Sequence, residues 1–204
     1  MRIRPVGVTA LLLECADSGE VEAWRAELWR RRDAGELAAV DIVPAARTIL
    51  LDGLADAIVT ARALAGWAPR AAGSSEPGPL VQIPTVYDGE DLPAVAAFWR
   101  VSTADVVDRL DRAELRVAFC GFAPGFAYLT GLPPQWGEVP RLPTPRSRVP
   151  PGSVALAGPY AGIYPTASPG GWRLVGRTAV TLFDVHRDPP ALLTPGTRVR
   201  LAAA

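Results

Sequence analysis

Five arginines, Arg141, Arg146, Arg148, Arg173 and Arg177, stand between Val139 and Phe183 with no acidic residue among them. The 21 basic and 21 acidic residues of the whole chain cancel, so this run makes a local cationic surface. The chemistry it suits is recognition of an anion: a carboxylate, a phosphate or an acidic partner surface. Arg146 and Arg148 lie in Pro143-Thr-Pro-Arg146-Ser-Arg148-Val-Pro-Pro-Gly152. Prolines stiffen that backbone, which leaves each guanidinium fork partly preorganised. A solvated loop is the plain alternative.

Two neighbouring segments carry the remaining candidates. Gly121-Phe-Ala-Pro-Gly-Phe126-Ala-Tyr128 combines two glycines with three rings. Phe126 and Tyr128 could wall a pocket, with the Tyr128 hydroxyl as a polar handle, or form a buried turn. Ile163-Tyr164-Pro-Thr-Ala-Ser168-Pro-Gly-Gly171-Trp172 adds hydroxyls and rings beside a tight turn. Ser168 could donate a hydrogen bond to a ligand. As a nucleophile it lacks a histidine or lysine base in the same stretch. The candidate substrate-binding set is therefore Phe126, Tyr128, Arg141, Arg146, Arg148, Tyr164, Ser168, Trp172 and Arg177, with no catalytic residue assigned. Asp88, Glu90 and Asp91 form a carboxylate cluster that could do acid–base work if burial raised one pKa. A solvated turn is the favoured reading. His186 reads as surface.

Several chemistries are excluded. All the basic residues are arginine, so a Walker-type lysine and a Schiff-base lysine are absent. One histidine rules out a multi-histidine metal site, and no metal is expected. Cys15 and Cys120 match no metal or redox spacing and read as small buried hydrophobes rather than a disulfide. Zero net charge without a basic aromatic stripe argues against nucleic acid. The apolar run Ala10 to Leu13 is too short to span a membrane, and no signal-peptide pattern is visible. A cytosolic protein is expected.

The elements that must position these residues fall into two parts. Val6 to Cys15 reads as a strand. Asp17 with Glu20 opens a helix whose inner face is Val21, Trp24 and Leu28, with Arg25, Arg31 and Arg32 outside. Leu37 to Val43 and Thr48 to Leu51 read as strands around a turn at Pro44 to Arg47. Asp52 caps a second helix carrying Leu54, Ile58, Ala61 and Leu64. Leu80 to Val86 is a strand again. The order is that of a split βαβ, ferredoxin-like unit. Pro69 to Pro79 reads as a linker. Two helices follow, one near Pro93 and one opened by Ser102 and Asp105, then a strand from Leu115 to Cys120. Eleven prolines and ten glycines from Gly121 to Gly176 forbid a long helix. Short strands at Ser153–Ala157, Gly162–Tyr164, Trp172–Leu174, Ala179–Phe183 and Arg198–Leu201 suit an antiparallel β-barrel. The fold class is α+β, with a small α/β domain over 1–78 and a barrel domain over 79–204.

The motifs GFAPGFAYL at 121–129, TPRSRVPPGSVALAG at 144–158, GIYPTASPGGWRLVGRT at 162–178 and LFDVHRDPPALLTPGTRVR at 182–200 resemble the allophanate hydrolase subunit 1 family. That family includes the 5-oxoprolinase B subunits and the kinase inhibitor KipI, and the resemblance is closest to the former. It extends to Gly7–Glu14, Pro44–Leu51 and Ile83–Asp88. The resemblance implies a cyclophilin-like barrel after the small domain. It also implies a complex with two partners, an A subunit plus a homologous C subunit of the allophanate hydrolase subunit 2 type. That complex opens 5-oxo-L-proline to L-glutamate with ATP and Mg²⁺. The other activities in the resemblance are a role in an allophanate hydrolase or urea carboxylase-type assembly, and an inhibitor that binds a sensor histidine kinase. Leu110 and Ala113 stand where the family commonly has histidine and proline. No phosphate loop is found, so most ATP chemistry is expected in partner subunits, and the chain alone is expected to be inactive.

Overall fold

The computed structural model describes residues 1–69 and 78–204. The chain divides into two compact units, Met1–Glu76 and Pro77–Ala204. Most of the linker read over 69–79 lies outside the described residues.

The first unit contains β1 (Arg2–Val6), β2 (Ala10–Glu14), α1 (Ser18–Asp33), β3 (Asp41–Pro44), β4 (Thr48–Asp52) and α2 (Ala57–Ala65). Its sheet is antiparallel in the order β1-β2-β4-β3. The strand read from Val6 to Cys15 is the second arm of a hairpin, turned at Gly7, whose φ of +64° is natural for glycine. The first arm escapes the apolar pattern because it is an edge, exposed at four of its five residues. It takes the outer place beside β2 that the fourth strand of a split βαβ unit would fill. The expected fourth strand, near Leu80, belongs to the other unit's sheet.

Asp17 caps α1, accepting from the Glu20 N–H at 2.8 Å. Val21, Trp24 and Leu28 are buried as expected. Arg25 is buried too, contrary to its expected outward position. Its guanidinium pairs with Glu22 and lies 4.5 Å from the Trp29 ring centroid, so its charge is satisfied within the helix. The cap of α2 is Asp56, not Asp52: its Oδ1 accepts from the Ile58 and Val59 N–H groups at 2.9 Å. The later start turns Ile58 outward, at 68% exposure, while Leu54 enters the core from the preceding loop.

The second unit contains β5 (Leu80–Thr85), α3 (Leu92–Trp99), α4 (Thr103–Arg112), β6 (Leu115–Cys120) and β7 (Ala127–Thr130). These are followed by β8 (Arg146–Val149), β9 (Ser153–Ala157), β10 (Tyr160–Ile163), β11 (Ser168–Gly170), β12 (Arg173–Arg177) and β13 (Arg198–Ala203). Seven strands run in the order β12-β9-β10-β7-β6-β13-β5, and β8 pairs with β11. The two edges of the large sheet meet. Val86, just past β5, exchanges backbone bonds of 2.9 and 2.8 Å with Arg177. Gly89 and Asp91 continue the seam by donating to the Val175 and Leu174 carbonyls. The result is a nearly closed barrel, which removes exposed edges. One pair, β5 with β13, is parallel rather than antiparallel. The stretch Ala179–Phe183 is not a strand; only Phe183 forms a bridge, to Ala191.

The barrel core includes Ile83, Leu115, Val117, Leu129, Leu156 and Val199, covered by Val106 and Leu110 of α4. The Ser102–Asp105 capping box that opens α4 forms in both directions, at 3.1 and 3.0 Å. Leu110 is fully buried, so the position that is histidine in the resembled family is here a packing residue.

Candidate functional site

Four pieces of the second unit bring aromatic rings to one place. The turn before β7 supplies Phe122 and Phe126, β7 supplies Tyr128, β10 and its end supply Tyr160 and Tyr164, and the approach to β12 supplies Trp172. The turn is tied by the Phe126 N–H donating to Ala123 O at 2.9 Å and the Gly121 N–H to Phe126 O at 3.2 Å. Gly125 is required there: its φ is +83°, and a Cβ would sit 2.7 Å from that of Phe183. The rings meet edge-on. Phe126 lies 5.1 Å from Tyr128 and 5.4 Å from both Tyr164 and Trp172, between centroids, and Tyr128 lies 5.6 Å from Tyr160. Edge-to-face packing of this kind holds each ring by the quadrupole of the next.

Together with Arg141 these rings surround a cavity of about 290 Å³. Ala157, Gly158, Pro169 and Gly170 complete its wall without filling it. Phe122 carries φ +70°, costly for an aromatic residue, and its ring is 61% exposed. A conformation of this kind costs about 1–3 kcal/mol and persists only where the surroundings enforce it. Burial pushes the Tyr128, Tyr160 and Tyr164 hydroxyls above the ordinary tyrosine range. Arg141 opposes the rise at Tyr128, the Trp172 backbone N–H opposes it at Tyr164, and Glu138 adds to it at Tyr160. All three are therefore protonated near neutrality and available as donors.

Five of the candidate residues thus line one cavity: Phe126, Tyr128, Arg141, Tyr164 and Trp172. The other four do not. Arg146 is turned to carboxylates, with Nε 2.6 Å from Glu90 and Nη2 2.7 Å from Asp91, and its Nη1 donates to the Trp172 carbonyl at 3.3 Å. Arg177 is exposed and pairs with Asp88 at 2.8 Å. Arg148 is exposed outside the cavity. Ser168 adjoins the lining residue Pro169, but its Oγ is enclosed without a hydrogen-bond partner. The acid-free run is therefore not uncompensated. The 88–91 loop, 55 to 89 residues away in sequence, supplies its counter-charges.

Asp88 and Glu90 of that loop are exposed, as a solvated turn would have them, but Asp91 is not. Asp91 is buried and accepts from Arg146, from the Leu174 N–H at 2.8 Å and from Arg173 at 3.5 Å. Sequence reasoning missed Tyr160, which follows Pro159 at the start of β10 and has no local feature that separates it from a core aromatic. Cys15 and Cys120 are free thiols, and burial raises both to about 11. His186 is exposed.

A nearly closed barrel that follows a small α/β unit in the chain is a fold shared with carboxyltransferase-type proteins. Residues 1–193 match the carboxyltransferase domain, subdomain C and D, and the chain belongs to that family. Among curated proteins it is similar to the 5-oxoprolinase B subunit of Escherichia coli O157:H7, 48% identical over 124 residues, 59% of this chain and 56% of that one. The same-named protein of Haemophilus influenzae Rd is 41% identical over 126 residues, 60% of this chain and 59% of that one. The match spans little more than half the length of these relatives. Among solved structures, TTHA0988 superposes with a TM-score of 0.78 at 33% identity, over all of this chain and 40% of that one. PH0987 from Pyrococcus horikoshii gives 0.59 at 29% identity, over 100% and 97%. The Kluyveromyces lactis urea carboxylase shares the fold, with a TM-score of 0.71 at 18% identity over 99% of this chain and 21% of that one. Among the described residues, no helix is long and apolar enough to cross a membrane.

Proposed function

We propose that the chain is the B subunit of a cytoplasmic, ATP-dependent 5-oxoprolinase. It acts with two partners, the A subunit plus a homologous C subunit, to hydrolyse 5-oxo-L-proline to L-glutamate. The observation that carries this reading is a small ring-walled cavity with one guanidinium, in a chain 41–48% identical to three curated 5-oxoprolinase B subunits over 124–126 residues. A cavity of about 290 Å³ suits a small ring compound and is too narrow for a segment of folded protein. The protonated tyrosines can donate to a lactam oxygen.

ATP and Mg²⁺ do not fit the residues of this chain. There is no lysine, and no glycine-rich loop opens a helix toward a phosphate. Among the described residues, no three carboxylate, histidine or cysteine side chains gather for a metal. Phosphoryl transfer needs such a cradle, so it belongs to the partner subunits, and the chain alone does not turn over. In the test, the purified chain is mixed with its A and C partners and ADP release is followed with and without 5-oxo-L-proline. Stimulation by 5-oxo-L-proline is expected. No stimulation from subunits that are folded and associated refutes the proposal.

A further inference from the structure

Of the five arginines in the acid-free stretch, three are occupied by carboxylates: Arg146 by Glu90 and Asp91, Arg173 by Asp91, and Arg177 by Asp88. Arg148 lies outside the cavity. Arg141 alone lines it, and no side chain or carbonyl among the described residues pairs with its guanidinium. It stands in a wall that is otherwise rings, glycine, alanine and proline, apart from the hydroxyls of Tyr128, Tyr160 and Tyr164. Those hydroxyls make no side-chain hydrogen bond among the described residues, although Tyr164 receives the Trp172 backbone N–H. Arg141 is solvent-exposed, and its unshared fork of donors is matched best by a carboxylate, which accepts two parallel bonds.

We propose that the cavity is a carboxylate subsite complete within this chain. Arg141 anchors the carboxylate of a small cyclic amide, the ring rests against Phe126 and Trp172, and the tyrosine hydroxyls donate to the ring carbonyl. Arg141 is then the residue that selects the acid from the neutral lactam. This rests on the oxoprolinase reading for the identity of the ring, but not for the existence of the site.

The geometry gives the anchor its selectivity. Water moderates the attraction of the exposed Arg141 for a carboxylate, and the selectivity comes from the paired bonds that its fork makes to two carboxylate oxygens. A neutral lactam fills the same volume but makes neither of the charge-assisted bonds that a carboxylate makes to the guanidinium. Phe122 adds a second mark of a ligand site. Its strained backbone holds an exposed ring at the cavity, edge-on to Phe126 at 5.2 Å and to Tyr164 at 6.2 Å. Such strain clusters at ligand clamps. Ligand contact with that ring would offset its exposure.

Calorimetric titration of the purified 204-residue chain tests this, without ATP or partner subunits. The ligands are 5-oxo-L-proline, 2-pyrrolidinone as the same ring without the carboxylate, and inorganic phosphate. The acid should bind roughly 10- to 100-fold more tightly than the neutral ring, the span of a lost hydrogen bond to a charged group. Arg141→Gln should erase that ratio, and Arg141→Lys should restore part of it. Thermal melts show whether each variant is folded. If Arg141→Gln does not fold, Tyr128→Phe should weaken the binding of both rings together. Equal binding of acid and neutral ring overturns the proposal. So do an unchanged ratio in Arg141→Gln, phosphate binding tighter than the acid, and no binding at all. The two readings fail separately. If the assembled complex shows 5-oxoproline-stimulated ATP hydrolysis but the chain does not discriminate, the subsite falls and the oxoprolinase reading stands. If the chain discriminates and the complex shows no stimulation, the reverse holds.

Discussion

Asp91 should be worth more to this protein than any other carboxylate of the second unit. It occupies the N-cap of α3, yet its side chain makes no capping bond. The carboxylate turns instead to the barrel seam, where it takes the Leu174 N–H at 2.8 Å and Arg146 Nη2 at 2.7 Å, with Arg173 Nη1 at 3.5 Å. Its side chain is 9% exposed. In Asp91→Ala the Leu174 N–H stays buried without an acceptor, and Arg146 keeps the Trp172 carbonyl and, as its one carboxylate, Glu90, which is largely exposed. Removing one member of a buried pair costs about 3–5 kcal/mol. Because Glu90 remains, the loss should lie at the lower end, about 3 kcal/mol. For a unit of this size that is a fall in Tm of about 10 °C. Asp91→Asn keeps an oxygen for the Leu174 N–H and loses only the charge, so it should cost about 1–2 kcal/mol. Urea unfolding followed by tryptophan fluorescence reads both. The Arg146 bond to the Trp172 carbonyl predicts that the near-ultraviolet signal of Trp172 also changes. The reasoning fails if Asp91→Ala costs under about 1 kcal/mol, or if the two variants are equal, because the pin would then not depend on its acceptor oxygens.

Leu110→Ala should cost about 2–5 kcal/mol by opening a cavity under α4, while turnover per folded molecule in the assembled complex stays unchanged. Lost turnover in folded protein would show that this position does more than pack. Glu27 of α1 accepts from Arg30 at 2.9 and 3.1 Å and from Arg31 at 2.6 Å, which hold its carboxyl at about 2. A depressed carboxylate stabilises the fold above its unfolded pKa and loses that contribution as pH falls through the folded one. Acid titration should therefore remove about 1–2 kcal/mol between roughly pH 4.5 and 2, allowing for the partly exposed arginines. Glu27→Gln should remove that segment of the pH dependence, and an unchanged acid limb would refute the assignment.

Local rules were legible where the signal was local. Ser102 and Asp105 announced α4 because a capping box needs only residues three apart, and the apolar run Leu115–Cys120 was read to its last residue as β6. The edge strand β1 was not legible, since an exposed strand of Arg, Ile, Arg and Pro shows no buried alternation. Arg25 misled for a different reason. A helical wheel sees a charge and turns it outward, and it cannot see that Glu22 and Trp29 on the same helix will enclose it. The rings of the site were legible as types among turn-forming glycines and prolines. Their convergence was not, because Phe126 meets Trp172, and Tyr128 meets Tyr160, only when β7, β10 and β12 are folded into one barrel.

The arginines divide by the same logic. In sequence they form one cationic stretch with one apparent purpose, but folding brings Asp88, Glu90 and Asp91 against it and sorts the charges into two tasks. Arg146, Arg173 and Arg177 hold the seam where the first barrel strand meets the last member of the sheet. Arg141, which pairs with no carboxylate among the described residues, is left lining the cavity. The division has an observable consequence that charge counting does not predict. Neutralising a seam arginine should appear in the unfolding curve and only secondarily in binding, because the guanidinium's partner is another residue of the fold. Neutralising Arg141 should leave the unfolding curve in place and appear in ligand selectivity. If Arg141→Gln destabilised the barrel as much as Arg146→Gln, the two tasks would be one, and the cavity guanidinium would be structural.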